Sequence, residues 1–287
     1  MRIIVTGLAL LALASSVHAQ DNEPNLETTE VAPGVYHIIG AGGNFTLQTG
    51  DEYNILYDNG MPPYSDAVVD LVNGLAGGPI DFVVNTHVHG DHTGANAAFA
   101  GAGSYVVAHE NLRKRLVEKP EDAGGPEGIP VVTFSDAMTF HVNGLEARVF
   151  HSATAHTDGD AIIQFRGLNV IYAGDVWFNY RFPYIDLDQG GTVAGYIAAQ
   201  NKIIAMASED TIILPGHGPA GSRADLQAAV DMLVDARARV KALVDKGLSQ
   251  EDVLAENPLA GYHDTWNWGF ITTERMTNTL YRSLTQE

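Results

Sequence analysis

Apolar positions along the chain recur in two periods. Short runs with period-two alternation or continuous apolar character predict strands at "VYHII", "NFTLQTG" and "YNILYDNG", separated by Gly-rich and Asn-Gly turns. "YSDAVVDLVNGL" has the three-to-four spacing of a helix, with Ser65 placed to cap it. "PIDFVVNT" predicts a buried strand, "ANAAFA" a helix, "SYVVAH" a strand and "ENLRKRLVE" a helix. "KPEDAGGPEGIP" reads as a surface loop. "VVTF", "MTFHV" and "LEARVFH" predict a meander with a hairpin turn at Asn143-Gly144, and "DAIIQFRGLNVIYAGD" predicts two strands joined at Arg166-Gly167. "VAGYIAAQNKIIAMA" is helical, "TIILPG" a strand, and "RADLQAAVDMLVDARARVKALVDKG" a long amphipathic helix, with a last helix near "TERMTNTLYRSL". Grouped strands with helices interspersed in both halves predict two sheets face to face with helices outside. No linker or short-period repeat divides the pattern, so one domain is expected over residues 35–287.

The first residues break this pattern. "MRIIVTGLALLALASSVHAQ" has one positive charge, an apolar run too short for the roughly 20 residues of a membrane span, and a small-x-small site ending at Ala19. A signal peptide is therefore expected over 1–19, a loose polar arm over 20–34, and export to a periplasm-like compartment without a membrane span. Formal net charge is −19. Such a chain repels phosphate backbones, which argues against nucleic-acid binding. Arg113-Lys114-Arg115 is too short to change that and reads as a solvated helix face. No protein partner is expected, only a small-molecule substrate. The chain has no cysteine, so disulfides, thiolate ligands and cysteine nucleophiles are all excluded.

One stretch concentrates the chemistry. "NTHVHGDHTG" places His87, His89, Asp91 and His92 within six residues at a strand end. Side chains at i and i+2 of extended backbone point the same way, so His87 and His89 can reach one ion. Asp91 and His92 follow where the chain turns and can face a second. Further candidates each stand at a strand end or in a loop beside small residues: His156 in "ATAHTDGD", Asp175 in "IYAGDVW" and His217 in "ILPGHGP". Taken singly, His156 and His217 read first as hydrogen-bonded structural residues, and Asp175 as a turn residue or cap. Taken with the HxHxDH spacing they complete a two-metal set. His87, His89 and His156 would hold one ion, and Asp91, His92 and His217 the other. Asp175 would bridge ions about 3.5–4 Å apart. Imidazole and carboxylate without thiolate suit two Zn²⁺, with iron or manganese as lesser options.

The order His87-Val-His89-Gly-Asp91-His92, then His156, Asp175 and His217, resembles the metallo-β-lactamase-fold hydrolase superfamily from about Val35 to His217. The resemblance implies an α+β fold, an αββα sandwich of two mixed sheets with helices on the outer faces and metals at the edge. It also implies a binuclear site whose metal-bridged hydroxide cleaves an ester, lactone or thioester-type bond, with Asp91 orienting it and accepting its proton. Asp175 departs from the cysteine or serine of the zinc β-lactamases, which makes β-lactam hydrolysis the alternative. A mono-iron sulfur dioxygenase and a non-catalytic zinc-binding periplasmic protein remain as further alternatives. Asn179, Tyr180 and Arg181 follow Asp175 closely and are expected to line the cleft, with Arg181 anchoring a substrate carboxylate. The bland reading makes the aromatics core and pairs Arg181 with a surface acid. Trp266, Trp268 and Phe270 are expected to pack the last helix, and His37, His109, His141, His151 and His263 receive no role.

Overall fold

The computed structural model of the protein describes residues 24–286. The signal peptide expected over 1–19 lies outside them. A seven-stranded sheet runs in sequence order through β1 (Glu27–Ala32), β2 (Val35–Ile39), β3 (Asn44–Gln48), β4 (Ile55–Tyr57), β5 (Phe82–Val84), β6 (Tyr105–His109) and β7 (Val132–Phe134). Its first four strands pair antiparallel and its last four parallel. A five-stranded sheet is formed by β8 (Ala137–Val142), β9 (Leu145–His151), β10 (Ala161–Arg166), β11 (Val170–Phe178) and β12 (Ile212–His217), ordered β12-β11-β10-β9-β8. Only β11 and β12 pair parallel there. Both sheets are mixed.

Helices cover the outer faces. α1 (Ser65–Ala76), α2 (Gly90–Thr93), α3 (Asn96–Gly101) and α4 (Glu110–Glu118) belong to the first half. α5 (Val193–Met206), α6 (Arg223–Val244), α7 (Gln250–Glu256), α8 (His263–Trp266) and α9 (Thr273–Gln286) belong to the second. The period-two alternation explains the layering. In β9 and β10, Val149 and Ile163 join Tyr57, Val84 and Leu214 between the sheets. Their neighbours Phe150 and Ile162 face Tyr196, Ile203, Leu226 and Leu233 of the helices instead. On the other side Leu47, Leu56, Val68, Val72 and Phe99 fill a third layer. Each such side chain contributes roughly 1.5–3 kcal/mol by leaving water. The expected αββα sandwich is the architecture observed.

Four expectations change. Residues 27–32 of the arm form β1, an edge strand with exposed side chains held to β2 by backbone hydrogen bonds. "VVTF" does not join the meander, because β7 closes the first sheet while the β8–β9 hairpin belongs to the second. Ser65 is the first residue of α1 rather than its side-chain cap, and its hydroxyl donates to the Pro62 carbonyl at 2.8 Å. The "KPEDAGGPEGIP" loop is not wholly superficial: Ala123 and Gly128 are buried. It closes over α2 through a hydrogen bond from Thr93 Oγ1 to the Asp122 carbonyl at 2.6 Å. Among the described residues, no helix is long and apolar enough to cross a membrane.

Candidate metal centre

The expected ligands converge at one edge of the sandwich, beyond the carboxyl ends of the parallel strands, where open sheets leave a crevice. His87 and His89 come from the turn between β5 and α2, Asp91 and His92 from α2 itself, and His156 from the β9–β10 loop. His217 ends β12. Asp175 lies within β11, where the pairing with β12 shifts register on either side of Gly174. That irregularity aims the carboxylate into the crevice. Gly174 has φ 51°, and a Cβ there would stand 2.7 Å from Thr86 Oγ1. Gly216 is required for a similar reason, since its Cβ would fall 1.9 Å from Asp175 Oδ1.

Asp175 is the hub. Its Oδ2 lies 3.5 Å from His87 Nε2, 3.4 Å from His156 Nε2 and 3.4 Å from His217 Nε2. Its Oδ1 lies 3.2 Å from His92 Nε2. His156 Nε2 and His89 Nδ1 are 2.9 Å apart. On the other side Asp91 Oδ2 is 3.3 Å from His217 Nε2 and 3.6 Å from His92 Nε2. The ligand atoms of His87, His89, His156 and Asp175 lie within 4.8 Å of one another, as do those of Asp91, His92 and His217. The structure therefore brings all seven expected residues together, in two groups with Asp175 touching both.

Residues behind them set which nitrogen faces inward. His87 Nδ1 is 3.0 Å from Thr86 Oγ1, His156 Nδ1 is 2.7 Å from the Tyr184 carbonyl, and His89 Nε2 is 3.0 Å from Asp186. His92 Nδ1 is 2.9 Å from Asp58 Oδ2. Asp58 is fully buried and also accepts from Thr86 N–H and Oγ1 at 2.7 Å each and from the Tyr172 hydroxyl at 2.6 Å. Asp160 accepts from the His156 and Thr157 backbone N–H groups at 2.6 and 2.9 Å and so fixes the β9–β10 loop. Asp58, Asp186 and the Tyr184 carbonyl escape a reading of the sequence alone. Asp58 had one signal: like Asp175, it directly follows or interrupts an apolar strand, but Asn59-Gly60 made it look like a turn.

Electrostatics divide the cluster. Burial opposes ionisation of Asp175, but His217, His92, His87 and His156 outweigh it and hold the carboxyl well below its usual range. Asp91 is held down to about 2, against burial, by His92 and His217. Burial pushes His156 down to about 4, and burial with the neighbouring His92 holds His87 well below its ordinary value. Burial also disfavours charge on His217 and His92. Asp175 and Asp91 prevail, raising His217 to about 9 and His92 well above its ordinary value. The carboxylates and inward-facing imidazoles make donor groups that could hold a metal ion. The donor set passes a further test. Among the described residues, His87 Nε2, His92 Nε2 and Asp175 Oδ1 are buried without an aligned hydrogen-bond partner, despite facing one another. Orphaned buried groups are costly, and a cation between them satisfies all three.

The three residues expected to hold substrate diverge. Asn179 is buried and braces the turn after β12, donating from its backbone N–H to the His217 carbonyl at 2.9 Å and from Nδ2 to the Pro219 carbonyl at 2.9 Å. Tyr180 is 52% exposed, and its hydroxyl donates to Asp225 at the start of α6 at 2.8 Å. Those polar atoms are committed within the protein. Arg181 stacks on Trp268, with its guanidinium 4.9 Å from the ring centroid. Trp268 in turn lies 5.9 Å from the His217 ring, so it borders the cluster instead of merely packing the last helix.

Comparison with known proteins gives a consistent frame. The family model described as the metallo-beta-lactamase superfamily matches residues 39–240. An atrochrysone carboxyl ACP thioesterase from Aspergillus terreus is 25% identical over 241 residues, 80% of this chain and 68% of that protein. A hydroxyacylglutathione hydrolase from a Polaromonas species is 28% identical over 144 residues, and that match spans 50% of each chain. Among solved structures, a metallo-beta-lactamase from Pontibacter korlensis superposes with a TM-score of 0.65 at 19% identity, covering 74% of this chain and all of that one. The DIM-1 metallo-beta-lactamase superposes with a TM-score of 0.63 at 16% identity, over 74% of this chain and 99% of that one. At such identities the superpositions show the fold alone.

Proposed function

The chain belongs to the metallo-beta-lactamase superfamily and is a hydrolase with histidine–aspartate groups that could hold metal; from this premise we propose a zinc-dependent enzyme that cleaves an ester, lactone or thioester bond. The observation that carries the reading is Asp175, whose two oxygens face different histidines of two ligand groups. In this reading His87, His89 and His156 would hold one zinc, Asp91, His92 and His217 the other, and Asp175 would be shared between the two groups. When bound, zinc would supply Lewis-acid polarisation of a carbonyl and a water whose pKa is lowered toward about 7.

The chain's own groups do the rest. Thr86, Asp58, Asp186 and the Tyr184 carbonyl keep four imidazoles in one orientation, so the site is set before substrate arrives. Asp91 is ionised and, at 25% exposure, the most open carboxylate of the cluster. It accepts the proton of the attacking water and returns it to the leaving group. The similarity to an atrochrysone carboxyl ACP thioesterase and to a hydroxyacylglutathione hydrolase supports an acyl bond of this kind. Export is part of the reading: the mature chain is expected to begin after Ala19, which the mass of protein recovered from a periplasmic fraction checks.

Metal analysis of purified protein is expected to give about two zinc per chain. Clearly less than one equivalent of any transition metal refutes the assignment. Turnover on lactones, thioesters, phosphodiesters and cephalosporins then fixes the bond class. Preference for a cephalosporin supports β-lactam hydrolysis instead. Iron with persulfide-dependent oxygen uptake supports a dioxygenase, and bound zinc without turnover a zinc-binding protein.

A further inference from the structure

The cluster opens on one side only. His87, His92 and His156 have side chains at most 1% exposed, whereas His89 is 19%, Asp91 25% and His217 10% exposed. The mouth therefore lies along His89, Asp91 and His217. An arc of aromatic rings follows it. Tyr184 stands 5.4 Å from His89, Phe270 5.5 Å from Tyr184, Trp268 5.6 Å from Phe270, and His217 5.9 Å from Trp268. The arc begins at one ligand group and ends at the other.

Trp268 and Phe270 lie beyond residue 240, where the family match ends. The segment carrying them is fastened in place. Trp268 Nε1 donates to the Phe182 carbonyl at 2.9 Å, Phe182 N–H donates to the Trp266 carbonyl at 2.7 Å, and Asn267 accepts from Thr273 N–H at 3.0 Å. Fastened in this way, Phe270 still leaves 47% of its surface in water. A fixed, solvent-facing aromatic surface at a site mouth is what a preorganised apolar subsite looks like.

Charge adds a second requirement. The chain has 35 acidic and 16 basic residues, and several guanidiniums find carboxylates, such as Arg115 with Asp158 and Arg282 with Asp188, both at 2.7 Å, while Arg113 and Arg223 meet backbone carbonyls instead. Among the described residues, Arg181 and Arg275 find no carboxylate either. Arg181 is half-buried over Trp268 and, among the described residues, makes no hydrogen bond or ion pair. Arg275 lies 4.2 Å from the Phe270 centroid and 5.3 Å from that of Tyr184, with one nitrogen donating to the Phe270 carbonyl. What sets Arg181 and Arg275 apart is their place against the aromatic arc, where a guanidinium without a carboxylate can take an anion from outside.

We propose that the Tyr184–Phe270–Trp268 arc, with Arg181 and Arg275 at its edge, selects substrates that carry a planar aromatic ring bearing an anionic group remote from the bond cleaved. The ring lies on Trp268 and Phe270 and the anion meets Arg181. This rests on the hydrolase reading for turnover, but not for binding.

Binding and turnover are tested separately. Naphthalene-2-sulfonate, a weak metal ligand, is titrated against the metal-loaded protein by tryptophan fluorescence. Trp177 and Trp266 are buried, so a surface ligand reports through Trp268. Saturable quenching is expected, weakened about tenfold in Arg181→Gln, and absent for uncharged naphthalene-2-methanol at the same concentrations. Trp268→Phe keeps an aromatic ring and is expected to bind the sulfonate with the signal lost, as competition by equilibrium dialysis confirms. Equal binding of charged and neutral probes, or an unaltered affinity in Arg181→Gln, overturns the proposal. For turnover, 6-sulfo-2-naphthyl acetate is expected to show a KM about tenfold below that of 2-naphthyl acetate, a ratio that Arg181→Gln collapses through KM and not kcat. Should no ester be cleaved while the sulfonate binds as described, the hydrolase reading fails and the subsite stands.

Discussion

Replacing Asp58 by Asn tests whether the cluster depends on a residue that touches no expected ligand position from the front. Asp58 Oδ2 accepts three hydrogen bonds, from Thr86 Oγ1, Tyr172 and His92 Nδ1, and Oδ1 accepts one from the Thr86 N–H. An amide has one acceptor oxygen, and all four partners point at the carboxylate. The oxygen of Asn would keep the three-bond position, leaving its NH₂ facing the Thr86 N–H. One buried donor loses its acceptor, which costs about 1–3 kcal/mol of stability. The negative charge behind His92 is lost as well, and with it part of what makes His92 Nε2 a strong donor. Outer partners of this type are worth about 10–100-fold in metal affinity, or about 1.4–2.7 kcal/mol. The assay is competition for zinc against a chromophoric chelator, run beside a thermal melt of each protein. Asp58→Asn should remain folded and release zinc at correspondingly lower chelator concentration. A folded variant with affinity within about twofold of the parent refutes the claim that Asp58 tunes His92.

Further outcomes follow from geometry and burial. Gly216→Ala places a methyl against Asp175 Oδ1, so the carboxylate must swing away; zinc affinity should fall at least about tenfold with little change in far-UV circular dichroism, and unchanged affinity would show that Asp175 is not held as described. His37 is buried in β2 with neither ring nitrogen hydrogen-bonded among the described residues, and burial pushes it down to about 4. An unfolded histidine titrates near 6.5, so the unfolded chain binds the extra proton. The resulting stability is fully present above about 6.5 and is lost as pH falls toward and through about 4, and the loss has reached roughly 2–3 kcal/mol at about pH 4.5. In denaturant titrations the stability of His37→Leu relative to the parent should rise by that amount from about pH 7.5 to about pH 4.5, and a constant difference would refute it.

What could be read along the chain depends on how local each signal is. His87, His89, Asp91 and His92 fall within six residues, so their spacing alone marks them, and His156, Asp175 and His217 each stand out beside small residues, although Asp175 proves to lie within β11 and not after it. Asp58 and Asp186 act only through the third dimension: each lies in a stretch, "YDNG" and "IDLDQGG", that reads equally well as a turn. Trp268 and Phe270 fail to announce themselves because nothing local distinguishes a packing aromatic from one at a site mouth. The fold shows the same division. β10 is buried along most of its length and reads as an apolar run, whereas β1 is an edge strand with mostly exposed side chains and offers no periodicity. The sheet to which β7 belongs is invisible in its period, because two-residue alternation is the same in either sheet; the decision is made by pairing with β6.

The arrangement of ligands also joins metal binding to the stability of the sandwich. His87, His89, Asp91 and His92 hang from the first sheet, and His156, Asp175 and His217 from the second. Each proposed ion takes ligands from both, so neither position exists until the two sheets have packed. The chain contains no cysteine and hence no disulfide to hold the layers together. Without a cation the closed sandwich confines Asp58, Asp91 and Asp175 beside His87 Nε2 and His92 Nε2, which lack aligned partners. This is an electrostatic burden that the hydrophobic layers must offset. A ligand that binds only the folded state shifts the balance by mass action, about 4.1 kcal/mol at a thousand times its Kd. That is comparable to the whole stability of a marginal domain. Metals bound as proposed would therefore also act as a cross-link between the sheets, a task that disulfides serve in many other proteins.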